Sequence, residues 1–490
     1  MPVNAPCGPV RGIAHATHTA YLGIPYARAP YPDRAFDVPQ PRGRFTTCFE
    51  ATRHGPSPAH PHVAQELFPD PVIAGDEALN LNVHAPARGD GPFPVIVWLY
   101  GGGFFTGSNA GPWYDGASFA RDGVVFVVPN YRVAAEGFMI LDDQVANRAV
   151  LDITAALTWV RDNIASFGGD PANVTLAGQS AGATAALALT GAPAARGLFR
   201  RLLVMSAGTP LLTPLERMRQ LSADFAAQLG TPRTRQALSA APTARRMELE
   251  RAWLPGEVQA PADSVDERAR RAGRDALRWQ PTLDGEVITA APEDALSQPG
   301  GVEALLIGTT TQEWNFLLGD LTTAPSIDAC VQGMANLGLT ADDLDTYLGR
   351  LGSRNPGHAL AQALSDRTFR RPARHIADTA ARAGIPTYAY QSAWPAPVFG
   401  AAHCADLPFA FDHLDAPQAP ELLGPAAPQH LATRMHTALV RFAHDGDPGW
   451  SAYTLDERRT LVFDHDPYEY ADALAETPNR LGRPAIRATR

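Results

Sequence analysis

The residues most suited to chemistry are those of Gly178-Gln179-Ser180-Ala181-Gly182, a GxSxG pentapeptide lying between the apolar run VTLA and a small-residue stretch, ATAALALTG. The pattern alone is common in a chain with 42 glycines, and its context is what discriminates. A strand that turns sharply into a helix holds the serine in strained geometry that only small neighbours permit, and points its hydroxyl away from the sheet. On this motif alone Ser180 is either such a nucleophile or a plain helix cap. Acyl transfer also needs donors for a developing oxyanion. Gly101-Gly102-Gly103-Phe104, after the run PVIVWLY, offers backbone N–H groups without side chains, each able to lower the barrier by roughly 3 kcal/mol. A phosphate cradle is the competing reading, but no GK[ST] follows. The chain has 14 His residues, and composition singles out none as a base.

These groups need elements to position them. PVIVWLY and GVVFVVPNYR read as buried strands, and VTLAG as a third. Between the last two, Val145 to Phe167 carries apolar residues at helical spacing, ahead of the stop GGDP. Strand, helix, strand, helix implies a parallel sheet, which RRLLVMS and EALLIGTT extend. About 213–279 and 324–383 are rich in Ala and Arg with helical periodicity, and read as helical insertions over the sheet. Within the first of them, QAPADSVDERARRAGRDA is either helical or a partly disordered solvated stretch.

Composition excludes several classes. The net charge is -10, acidic and basic residues are interspersed, and every basic side chain besides His is Arg, so no field suited to nucleic acid or anionic lipid exists. Apolar runs fall well short of the ~20 residues that span a bilayer. The N-terminus lacks the basic and apolar regions of a secretory signal, so the expected location is the cytoplasm. Cys7, Cys48, Cys330 and Cys404 show no metal-ligand or disulfide spacing and read as reduced thiols; no cofactor or metal is expected, and nothing sets an oligomeric state.

Taken together, the segments resemble the type-B carboxylesterase family, which includes bacterial esterases and cholinesterases. YLGIPYARAP, LNLNVHAP, VIVWLYGGGFFTGS, NYRVAAEGF, WVRDNIASFGGDPANVTLAGQSAG, LFRRLLVMSAG, EALLIGTTTQEW, HCADLPFAF and FAHDGDPGW stand in the family's order over nearly the whole chain. The resemblance implies one α/β-hydrolase domain over residues 1–490, with a mostly parallel central sheet flanked by helices. It implies Ser180 as nucleophile, Glu313 as the acid and His403 as the base, with Gly102, Gly103 and Ala181 as oxyanion donors. That order, Ser then Glu then His, is the one an α/β-hydrolase requires. The implied substrate is a small-molecule ester cleaved through an acyl-enzyme. An acyltransferase or cyclase could use the same triad, and the family also contains catalytically dead binding proteins.

The resemblance further implies an ion pair between Arg132 and Asp152, although two unrelated solvated charges read equally well. Three departures stand out. Gln179 replaces the family's Glu before the nucleophile, which disfavours cationic substrates. Ala78 stands where relatives have a disulfide Cys, and Trp314 replaces the Gly after the acid. Phe104, Phe105, Trp113, Gln179, Trp314 and Phe409 are the candidates to line the substrate pocket.

Overall fold

The computed structural model describes residues 2–475, apart from 62–67, 88, 90, 255–263, 274–277, 299–300 and 316–322. Its first strands are β1 (Val3–Ala5), β2 (Gly8–Arg11), β3 (Ile13–Ala14), β4 (His18–Pro25), β5 (Phe49–Glu50) and β6 (Asn80–Pro86). The central ones follow as β7 (Phe93–Leu99), β8 (Val125–Pro129), β9 (Gly169–Gln179), β10 (Arg201–Met205), β11 (Ala304–Thr310) and β12 (Thr387–Ser392), and the chain closes on β13 (Arg459–Phe463) and β14 (Tyr468–Ala471). Eleven of them form one sheet in the order β14-β13-β12-β11-β10-β9-β7-β8-β6-β4-β3, while β1, β2 and β5 make a small separate sheet.

From β8 to β13 every neighbouring pair is parallel, and antiparallel pairing is confined to the two flanks. The reason lies in the side chains. β8, β10 and β11 are buried along their whole length, and only strands covered on both faces can read as unbroken apolar runs. The sheet is thus the mostly parallel, helix-flanked one expected of an α/β-hydrolase. The crossover helix Arg148–Asn163 packs Val150, Ile153, Ala156, Leu157 and Val160 inward. Gly168, at φ 86°, ends the short turn after it, as the GGDP stop predicts. The strand nevertheless opens already at Gly169, with its register against β7 shifting between Phe93 and Val95.

The two helix-rich stretches fold as helices. Leu215–Leu229, Arg235–Ala240, Thr243–Ala252 and Val265–Arg271 occupy the first, and Ile327–Asn336, Ala341–Leu351, Pro356–Ser365 and Arg371–Arg382 the second. Of the segment that could be helical or solvated, 265–271 is helix, capped by Ser264 on the N–H of Glu267, and its remainder lies largely outside the described residues. The helix Val265–Arg271 joins the first three helices of the second stretch around a small core of their own, built on Cys330, Met334, Leu344, Leu360 and Leu364, while Arg371–Arg382 packs into the main core. Among the described residues no helix is long and apolar enough to cross a membrane, no group of His, Cys, Asp and Glu could hold a metal ion, and the four cysteines form no disulfide.

Candidate active site

Ser180 follows the last residue of β9 and heads the helix Ala181–Thr190 with φ 56° and ψ -124°, a conformation that costs a non-glycine residue about 1–3 kcal/mol. The flanking glycines explain how it is held. A Cβ on Gly178 would stand 2.5 Å from the carbonyl carbon of Gly182, and one on Gly182 would stand 2.0 Å from the carbonyl oxygen of Leu99 in β7. The helix can pack this tightly onto the sheet only without those side chains, and the Ser180 side chain makes no cap bond to it. Residues 181–189 of the helix are all buried, as a run of small and apolar residues on every face requires, with Thr184 its one hydroxyl.

The glycine loop follows β7 and reaches the same point. A Cβ on Gly101 would lie 3.1 Å from Ser180 Cβ and 2.7 Å from Gln179 Oε1. Gly102 and Gly103 have φ 113° and 61°, and Phe104 is also left-handed at 65°. The loop is closed by the N–H groups of Phe105 and Thr106, both donated to the carbonyl of Gly102. Ala181 is the first residue of its helix, where an N–H has no partner within the helix.

Glu313 lies just beyond the end of β11, fully buried. Its Oε2 is 2.5 Å from His403 Nδ1, while Oε1 accepts from Ser206 Oγ at 2.7 Å and from the N–H of Thr310 at 2.8 Å. The backbone ties the same two residues together, with His403 N–H donating to the carbonyl of Glu313 at 3.1 Å. Burial opposes a charge on the imidazole, but neighbouring Cys404 and Glu313 outweigh it and hold His403 well above the ordinary histidine range. The ring of Phe369 covers the imidazole, centroid to centroid 4.7 Å. Trp314 in turn packs against Phe369, ring centroids 5.6 Å apart.

The other nitrogen, Nε2, faces the side-chain amide of Gln179, whose Nε2 is 3.1 Å away and also 3.1 Å from Cys404 Sγ. Among the described residues no hydrogen bond joins the Ser180 hydroxyl to His403. The structure thus brings Glu313 to His403, Gln179 to His403 and Gly101 to Ser180, all at the carboxyl ends of parallel strands, where open α/β sheets bind ligands.

The expected pocket lining divides. Phe105 and Trp314 are half-buried and face the site's surroundings. Phe104, Trp113 and Phe409 are instead buried in the main core. Phe104 is closed against Phe138, Trp113 spends its indole N–H on the carbonyl of Pro417, and Phe409 packs on Trp394, all three in the main core. Gln179 is nearly as buried, and it touches the imidazole instead of a cavity. Arg132 and Asp152 are a buried pair, with Nε and Nη2 on the carboxylate at 2.8 and 2.6 Å, and the carbonyls of Ala35 and Asp37 take Nη1. Tyr100 stacks on Tyr131 at 4.5 Å.

Two neighbours of the site escape the sequence reading. Ser206 ends the LLVMS run, a position that a strand's carboxyl end could have flagged. Phe369 stands in a π-helical turn, Asp366–Arg370, that no periodicity announces.

The chain matches the model of the carboxylesterase family over residues 1–477. It is 31% identical over 487 residues to the para-nitrobenzyl esterase of Bacillus subtilis, covering 95% of both chains, and 29% identical to the fumonisin B1 esterase of Sphingopyxis macrogoltabida, covering 90% of this chain and 81% of that protein. Among solved structures, the carboxylesterase EST55 of Geobacillus stearothermophilus at pH 6.2 superposes with a TM-score of 0.82 at 31% identity, over 96% of this chain and 98% of that one.

Proposed function

Since the chain belongs to the carboxylesterase family, and is a carboxylesterase, we propose that it hydrolyses small-molecule esters through an acyl-enzyme on Ser180, with His403 as general base and Glu313 as the acid that orients it. The observation that carries this reading is the contact between Glu313 and His403 beside the serine elbow. Nδ1 of a neutral imidazole carries its proton toward the carboxylate, so Nε2 keeps the lone pair that must take the proton of Ser180. The Ser180 hydroxyl attacks the ester carbonyl, and the developing oxyanion is held by the N–H groups of Gly102, Gly103 and Ala181. The alcohol leaves with the proton from His403, and water, activated by the same imidazole, releases the acid. In free enzymes the bond between nucleophile and base is often long and tightens only with substrate bound.

On this reading the chain works as one catalytic unit. The helical stretch at 324–383 supplies the cover of the base, because Phe369 belongs to it. The test is turnover of p-nitrophenyl acetate and butyrate, together with labelling by a fluorophosphonate. Wild type should turn over and be labelled on Ser180, and Ser180→Ala should lose both. Equal slow release of nitrophenol by the two proteins would refute the assignment. Added alcohols or amines should divert little of the acyl group from free acid.

A further inference from the structure

We propose that Gln179 is a positioning residue for the base: its side-chain N–H, donated to Nε2 of His403, disfavours a proton on that nitrogen beside the serine elbow until the Ser180 hydroxyl replaces it. The inference rests on the triad reading above and adds a component to it. Gln179 is the residue before the nucleophile, 1% exposed, so its amide is confined to one place. One face of that place is the imidazole and the other is the glycine loop. The Oε1 end lies 2.7 Å from where a Cβ on Gly101 would stand, so the amide can be seated only because residue 101 has no side chain. Cys404 Sγ, 3.1 Å away, is a second and weaker acceptor for the same amide nitrogen.

Proton placement makes this contact directional. A neutral imidazole has one N–H, and Glu313 claims it at Nδ1, so Nε2 offers a lone pair to the amide. Were Nε2 protonated, donor would face donor. The amide therefore disfavours the imidazolium, whereas the Glu313 carboxylate favours it. Among the described residues, the other groups around the imidazole include Cys404, which like Glu313 favours its charged form, Asp406 of the same loop, Ser206 behind Glu313, and the uncharged ring of Phe369. Gln179 thus makes a contact at Nε2 that works against premature protonation of a base already held beside a carboxylate. A carboxylate at position 179 would act in the opposite sense.

The test is the imidazole titration of His403, followed by NMR in substrate-free protein labelled with 15N-histidine, the signals being assigned with His403→Asn. Gln179→Met keeps the volume and removes the donor, and Gln179→Glu keeps the shape and adds a charge. The midpoint should rise by about one pH unit in Gln179→Met, a tenfold gain in proton affinity, and further in Gln179→Glu. The acid limb of kcat/KM should move upward by the same amounts, while the rate on the alkaline plateau changes less. A midpoint unmoved in both variants, or one that falls in Gln179→Met, would overturn the proposal. The titration needs no turnover, so its outcome is separate from that of Ser180→Ala, which tests the triad itself.

Discussion

Ser206 Oγ and His403 Nδ1 bind the two oxygens of one buried carboxylate, that of Glu313, at 2.7 and 2.5 Å. With the N–H of Thr310 also on Oε1, the carboxylate has no freedom to rotate, and it fixes the plane of the imidazole. Ser206→Ala removes one charge-assisted hydrogen bond of three, so kcat should fall about tenfold with KM little changed. Glu313→Gln should lower it by about a thousandfold, because an amide can no longer orient and stabilise the protonated base. Steady-state kinetics on a p-nitrophenyl ester would distinguish the two.

Gly101→Ala tests the crowding of the elbow. The added methyl would meet Gln179 Oε1 at 2.7 Å and Ser180 Cβ at 3.1 Å, and the loop must shift to admit it. Activity should fall at least tenfold by the ~1.4 kcal/mol per decade rule. The melting temperature should change far less than it does in Gly182→Ala, where the methyl would run into the backbone of β7 and the fold itself is at stake.

Arg132 and Asp152 hold the loop after β8 to the crossover helix. Arg132→Ala leaves the Asp152 carboxylate buried without its partner, and should destabilise the protein by about 3–5 kcal/mol. Arg132→Lys should recover only part of this, since an ammonium cannot reach the carboxylate and the carbonyls of Ala35 and Asp37 together. Urea unfolding of the three proteins would measure both.

Acid should weaken the β4–β6 flank. His84 is buried near Asp115, with His18, His54 and His15 around it; burial, reinforced by those histidines, pushes its imidazole down to about 4, against the pull of Asp115. A histidine depressed in the fold is neutral there but charged when unfolded, so its contribution is present above the unfolded value of about 6.5 and disappears as pH falls toward 4. About 3 kcal/mol is at stake in that window. His84→Gln should flatten the dependence of thermal stability on pH between 6.5 and 4, and an unchanged slope would show that other groups govern acid unfolding.

Much of this was legible in the residues. Unbroken apolar runs announce buried parallel strands, and the stop at GGDP marks the helix end, because both are local consequences of side-chain type. The pairing of Arg132 with Asp152 was not, since a charge looks the same in sequence whether it is solvated or enclosed. Aromatic residues near the motifs misled for a related reason: Phe104, Trp113 and Phe409 neighbour the site along the chain, but their rings turn into the core. Gln179 was read as facing substrate, and its rotamer, which sequence does not record, turns it to the base instead.

The backbone angles of Ser180 have an evolutionary consequence. Glycine would occupy φ 56° and ψ -124° without penalty, so Ser180→Gly should yield a chain that melts higher and does nothing. The working sequence is held away from its own stability maximum at a position on which the proposed activity depends, and selection for robustness alone would erase that activity before it harmed the scaffold.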